Sequence, residues 1–367
     1  MPCSAKTELL RRHASGNFRD LLLYITEDPA MVLYLNTQQN RKNSPNENYA
    51  RELLELFTMG TGNYTEKDIK EAARAFTGIS VDQQTGEAIY RANQHDFGVK
   101  TFLGKTGDLQ PADIIDAILE QPATAEYIAR KFWSYFAYAD PDDAIIKALG
   151  GVLRDNKYEL KPMLRTMFMS EAFYAKRAML TNIKSPVELV VGTMRALEIP
   201  PVDTANINIG MRLMGQSLMQ PPNVKGWDGG ETWITASTLF NRYNVLGALI
   251  AGNDNEQGRR RRQRVIEAIR NSTGKEGQAA EEALSRLQPP YDPTAAMRKY
   301  RLVTAEKTVD HYVQRLLQRP LKPDRKKVLL DALKPRFRAG DIESSQNVEL
   351  IRGLIHLIVS MPEYQLS

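Results

Sequence analysis

Thr65-Glu66-Lys67-Asp68-Ile69-Lys70-Glu71-Ala72-Ala73-Arg74-Ala75-Phe76-Thr77-Gly78 reads as a complete helix with both ends marked. Thr65 is an N-cap whose side chain can take a backbone N–H, and Asp68, at the third helical position, can return the favour. Ile69, Ala72, Ala73 and Phe76 then fall at i, i+3, i+4 and i+7, one apolar face of a 3.6-residue period, and Gly78 stops the run.

The same grammar recurs along most of the chain. Residues 111–120 carry the stripe Ile114, Ile115, Ile118, Leu119, and helices are expected over 123–136, 140–154, 160–169 and 186–197, each after a Pro, Asp, Ser or Thr start. Upstream, 18–24 and 30–35 are broken by Asp28-Pro29; downstream, 235–250, 305–318, 324–333 and 344–361 complete the set, the last with Val348, Ile351, Ile355 and Ile358 on one face. Dense alternation of helix and short turn predicts a mainly all-α, multi-helical array rather than a doubly wound sheet. Only 79–108 looks strand-like. Ile79-Ser80-Val81 and Ala88-Ile89-Tyr90-Arg91 flank a turn-rich connector and suggest a small hairpin, while 98–107, with three glycines, reads as an irregular loop.

At 367 residues the chain can build a large core. The pattern divides it into a multi-helical main domain over 1–252, a charged basic insert or linker over 253–300, and a helical module over 301–367 packed on the main domain. The net charge of +5 is uneven: residues 254–367 hold 22 Lys+Arg against 15 Asp+Glu, and the remainder holds 27 against 29. The run Arg259–Arg262 with Arg264 accounts for much of this, but no aromatic residues are interleaved with it, so a solvated insert is expected and nucleic-acid binding is not. Cys3 is the sole cysteine, which excludes an internal disulfide and a cysteine-based metal centre within one chain. No apolar run approaches the ~18 residues of a membrane span. Polar residues at 4–8, and a short apolar patch at 21–25 between Asp20 and Glu27, give no export signal of the usual form. Phosphate-loop, Gly-x-Ser-x-Gly and His-Glu-x-x-His motifs are missing, against nucleotide hydrolysis, serine esterase chemistry and a zincin.

Residues 44–60 concentrate charge in one short helix, opened by Pro45-Asn46 and closed by Gly60. Glu47, Arg51 and Glu55 fall on one column, and Glu52 lies beside Glu55. One reading is a salt-bridge network pinning this helix to its neighbours. The other has Glu52 and Glu55 binding a hard cation or acting as an acid/base pair, since adjacent carboxylates repel and one is pushed to hold a proton or a metal. His95-Asp96, in a polar loop, reads as a loop-stabilising hydrogen-bonded pair or as an assisting base. Trp227, Asp228, Glu231 and Trp233, among glycines, read either as anchors of an irregular loop or as an aromatic and acidic rim for a sugar or peptide. His13, His311 and His356 sit in helical patterns and are expected to be structural.

Taken in order, residues 45–57, Tyr64-Thr65-Glu66-Lys67-Asp68, His95-Asp96 and Pro221-Pro222-Asn223-Val224-Lys225-Gly226-Trp227 resemble the bacterial family catalogued as domain of unknown function 1800. Lys184-Ser185-Pro186-Val187-Glu188-Leu189 and Met361-Pro362-Glu363-Tyr364-Gln365-Leu366 fit its planctomycete-like members. The resemblance spans nearly the whole chain except the basic insert. It implies export, and a frequent genetic association with a second uncharacterised exported family similar to sulfatases. Family members usually carry further helices upstream of Asn17-Phe18-Arg19-Asp20, so the resemblance also implies an N-terminally truncated copy. No catalytic residues are established for the family, and none carry over. Two functions are therefore expected: an envelope-associated, non-catalytic or accessory protein binding a partner or polymer, with Glu47, Arg51 and the tryptophan loop on the binding surface; or a carboxylate- or metal-dependent hydrolase of an extracellular substrate such as a polysaccharide, using Glu52, Glu55, His95 and Asp96.

Overall fold

The computed structural model describes residues 2–202, 204–252 and 289–367. The run Arg259–Arg262 with Arg264, and residues 253–288 of the expected insert, lie outside the described residues. The described chain is mainly α, with sixteen α-helices and two small antiparallel hairpins. It divides by contact into Met1–Ala178 and Met179–Ser367. The sequence pattern runs a main domain to residue 252, whereas contacts group residues 186–251 with the C-terminal helices, because Leu189, Val190, Leu246 and Ile250 share one buried cluster with Val309, Ile351 and Ile355.

The first unit contains α1 (Pro2–His13), α2 (Phe18–Thr26), α3 (Pro29–Tyr34), α4 (Asn48–Glu52), α5 (Glu66–Ala75), α6 (Pro111–Leu119), α7 (Pro122–Phe136), α8 (Asp143–Asp155) and α9 (Leu160–Phe168). Thr65 and Asp68 form the expected capping box of α5, and Ile69, Ala72, Ala73 and Phe76 are fully buried. The hairpin β1 (Ile79–Val81) and β2 (Ala88–Tyr90) pairs Ile79 with Tyr90 and Val81 with Ala88. Beyond it, the expected irregular loop folds instead as a second hairpin, β3 (Lys100–Phe102) and β4 (Lys105–Gly107). Its two-residue turn puts Leu103 and Gly104 at φ +45° and +84°. Such turns usually advertise themselves as Asn-Gly or Asp-Gly, and a leucine in the left-handed position hides the signal.

The second unit contains α10 (Pro186–Leu197), α11 (Thr204–Leu213), α12 (Ala236–Ala251), α13 (Thr294–Tyr300), α14 (Ala305–Leu316), α15 (Pro323–Leu333) and α16 (Ser345–Val359). The chain leaves after Gly252 and re-enters at Pro289 at one place: Tyr291 N–H donates to Ile250 C=O at 2.9 Å, and a Cβ on Gly252 (φ +61°) would lie 2.3 Å from Pro290 N.

Both units use the same polar device inside an apolar core. Thr26 Oγ1 donates back to Leu22 C=O at 2.7 Å, leaving its lone pairs for the Tyr49 hydroxyl at 2.6 Å. Thr193 Oγ1 donates to Leu189 C=O at 2.6 Å and takes the Tyr364 hydroxyl at 2.6 Å. Burial raises both phenols above the usual tyrosine range, so they stay neutral donors. Tyr49→Phe and Tyr364→Phe should each cost about 1–2 kcal/mol in urea unfolding. Combining Tyr49→Phe with Thr26→Val should cost clearly less than the sum of the two; full additivity would mean that the hydroxyls do not bond.

Candidate functional site

The Glu-rich segment is not a plain α-helix. After α4 it continues as a π-helix over Leu53–Thr58, in which Met59 N–H reaches back five residues to Leu54 C=O at 2.9 Å. Wide turns of this kind leave carbonyls to be satisfied from outside, and they are frequent at functional sites. Here the Tyr127 hydroxyl lies 3.1 Å from Glu55 C=O and 3.0 Å from Leu56 C=O, and its ring lies over Gly60, where a Cβ would be 2.9 Å away. Gly60, at φ +74°, is therefore required by both conformation and contact.

The π-turn changes the charge ladder. Arg51 Nη2 meets Glu47 at 3.1 Å, as the spacing expects. Its main partner, however, is Glu66 in the first turn of α5, gripped at 2.9 Å by both Nη1 and Nη2. That fork holds the guanidinium strongly in its charged form. Glu55 instead lies 3.5 Å from the Tyr64 hydroxyl. Glu52 is half-buried and has no hydrogen-bond or ion-pair partner among the described residues. Burial, and then the nearby Glu55, raise its pKa above the usual glutamate range.

His95 and Asp96 are tied to α5. Asp96 takes Arg74 Nε at 2.7 Å and Nη2 at 3.3 Å, plus the N–H of Gly98 at 2.8 Å. Arg74 holds its carboxyl below the usual aspartate range. His95 is 1% exposed; its Nδ1 faces Thr77 C=O at 2.8 Å, which fixes Nδ1 as the protonated nitrogen. Its Nε2 is buried without a partner among the described residues. Tyr90 and Phe97 flank the ring at 5.5 and 4.7 Å.

These six side chains, Glu47, Arg51, Glu52, Glu55, His95 and Asp96, all belong to the first unit. Trp227, Asp228, Glu231 and Trp233 belong to the second. Trp233 is buried, its ring against Gly215 and its carbonyl accepting Thr238 Oγ1 at 2.9 Å just before α12. Trp227 is half-buried, Asp228 pairs with Lys225 at 2.8 Å on the surface, and Glu231 is exposed. Among the described residues, no group of three or more His, Cys, Asp or Glu side chains is placed to hold a metal ion. No described helix is long and apolar enough to cross a membrane.

The two closing motifs of the sequence meet inside the second unit. Lys184 Nζ donates to Tyr364 C=O at 2.8 Å and lies 4.0 Å from the Tyr364 ring centre. The fully buried Arg242 donates to Lys184 C=O at 2.6 Å and to Gln365 Oε1 at 3.1 Å. Burial lowers Lys184 to about 8. Arg242 gives no sequence signal of this role, because a lone arginine on an amphipathic helix usually faces solvent.

The model of the family described as "Protein of unknown function (DUF1800)" matches residues 2–366. The chain belongs to this family. No curated protein and no solved structure matches it. The family match covers both units, so the Glu-rich helix, the Arg74–Asp96 pair and the Lys184–Tyr364 clasp all fall within one family framework.

Two measurements separate the acids that hold the fold from the one that does not. Arg74→Ala removes the grip on Asp96, on Glu71 at 3.1 Å and on Val99 C=O at 3.2 Å. It should cost about 2–4 kcal/mol and speed hydrogen exchange across 95–103 before α8 and α9. Glu52 has the opposite sign. Because the folded state binds its proton more tightly than the unfolded state, its contribution worsens as pH rises from the ordinary glutamate pKa through the folded value. Glu52→Gln should therefore raise the melting temperature at about pH 7 and change it little at about pH 4. A loss of stability at neutral pH would contradict an unpaired, burial-disfavoured carboxylate.

Proposed function

We propose that the protein binds a polymer or partner at the cell envelope as a non-catalytic or accessory component. One observation carries this reading: a row of aromatic rings runs across the ends of α7 and α9 and out to the surface. Tyr135 stands edge-on to Phe136 at 4.9 Å, Phe136 to Phe168 at 5.2 Å, Phe168 to Phe173 at 5.1 Å and Phe173 to Tyr174 at 5.3 Å. Buried Trp133 stiffens the row from below, 6.4 Å from Phe173. Yet Tyr135 is 66% exposed, Tyr174 64% and the neighbouring Met169 75%. Contiguous apolar surface of this kind usually marks an interaction site.

Tyrosines at such surfaces offer a flat face for stacking and a hydroxyl for a polar partner, at little entropic cost. A row suits an extended chain better than a small molecule, which supports a polymer such as a glycan. The envelope location rests on the family's usual export. The proposed protein partner is a second exported protein of the sulfatase-like family. Around the tryptophan loop of the second unit, exposed Leu218, Met219 and Val224 provide further apolar surface for the same role.

A second reading, a carboxylate-based hydrolase, is favoured only by Glu52, half-buried, without a hydrogen-bond or ion-pair partner among the described residues, and with its pKa raised by burial and by Glu55 at the start of the π-turn. The other acidic candidates with resolved partners, Glu47 and Asp96, are engaged by arginines.

Co-sedimentation with insoluble peptidoglycan, chitin and cellulose tests the binding reading. The protein should pellet with at least one polymer, and Tyr135→Ala/Tyr174→Ala should weaken retention about thirtyfold while melting normally, since aromatic stacking contributes about 1 kcal/mol per ring. Retention unchanged in the double variant, or no binding to any polymer or to the sulfatase-like protein, would sink the proposal.

A further inference from the structure

A cleft of about 370 Å³ opens in the second unit between the end of α10 and α13–α14. That is at the lower end of the range for small-molecule sites. Ile199, Pro200, Pro290 and Ala296 give it apolar walls, and its charged lining is unequal in what it has left to offer. Glu198 is taken by Arg315 Nη2 at 2.8 Å. Asp292 is occupied just before α13, accepting Thr294 N–H at 3.0 Å and Thr294 Oγ1 at 2.5 Å.

The cations are not used up in the same way. Arg315 also donates through Nε to Ala196 C=O, which fixes the plane of the guanidinium at the wall. Lys299 has no carboxylate partner among the described residues; its ammonium lies 5.1 Å from the Tyr300 ring centre. Tyr300 lies in the same wall, with its ring 4.4 Å from that of His311. Lys299 and then Arg315 hold its phenol below the usual tyrosine range, so both cations bear on that oxygen. His311 is kept neutral by burial and by Arg315, and its Nε2 is a buried atom without a partner among the described residues. An ammonium with no carboxylate partner among the described residues, a fixed guanidinium and a phenol in the wall of this cleft form a donor set for a bound oxyanion.

We infer that this cleft binds a small molecule bearing one oxyanion group, a carboxylate or a phosphate, on a compact apolar body. The group would seat between Lys299, Tyr300 and Arg315, with the body against Pro200, Pro290 and Ala296. The site is independent of the aromatic row and takes a different kind of ligand.

Calorimetric titration of the whole chain with sodium benzoate, phenyl phosphate and neutral benzamide tests it. At least one anion should bind while benzamide does not, and the better anion identifies the head group. Lys299→Ala should weaken that binding about tenfold, the loss expected for one charge-assisted contact, and Tyr300→Phe should weaken it less. Both side chains are exposed, and an unchanged melting temperature will show that each variant folds. Binding of neither anion, equal binding of benzamide and benzoate, or unchanged affinity in Lys299→Ala would each overturn the assignment.

Discussion

The first unit depends on one helix using two faces for different kinds of bond. Ile69, Ala72, Ala73 and Phe76 of α5 enter the core and are fully buried. Asp68, Glu71, Arg74 and Thr77, spaced three apart, form a polar row that fastens the hairpin region: Asp68 takes Leu103 N–H at 3.1 Å, Glu71 takes Thr101 N–H at 2.9 Å, Arg74 grips Asp96, and Thr77 Oγ1 takes Asp96 N–H at 2.8 Å. Short hairpins are only marginally stable alone. The β3–β4 hairpin is held because the N–H groups of Thr101 and Leu103 are taken by α5 side chains, and the same row sets Asp96 in place.

Buried charge is handled differently in the two units. In the first, the partly buried Arg74 is neutralised by carboxylates. In the second, Lys184 Nζ and the two terminal nitrogens of Arg242 donate to carbonyl and amide oxygens, Arg242 Nε is buried without a partner among the described residues, and Glu188, the acid nearest Lys184 in sequence, is occupied as the N3 partner of the α10 capping box. Desolvation by burial lowers both pKa values, and at Lys184 the nearby charge of Arg242 adds to the fall. Such an arrangement fixes backbone geometry more than it adds stability, because each cation reports whether the carbonyl it needs is in position.

Helix existence was legible from the sequence because apolar period and caps agree: Thr65 with Asp68, and Ser185 with Glu188, both form real capping boxes. The β1–β2 hairpin was legible from its turn-rich connector. What failed to show was whatever depends on distant residues. The β3–β4 turn is hidden by Leu103, α11 gives a weak apolar stripe, and nothing local links Tyr127 to Gly60 or Arg242 to Lys184. The candidate acids could be named from composition, but their partners could not, since Glu66 and Arg74 lie fifteen and twenty-two residues from Arg51 and Asp96.

The Glu-rich helix shows how a single local distortion redistributes charge. A regular α-helix would set Glu47, Arg51 and Glu55 in one ladder. The π-turn starting at Leu53 departs from that register, Glu55 sits by Tyr64, and Arg51 finds its second carboxylate on Glu66. Arg51 thereby ties α4 to the capped start of α5, the helix that organises the unit. The distortion also explains why Glu52 differs from its neighbours. It sits at the last α-helical position, half-buried, facing Glu55's charge with no arginine bonded to it. Burial and the charge of Glu55 therefore act against its ionised form, and the charge of Arg51 offsets them only in part.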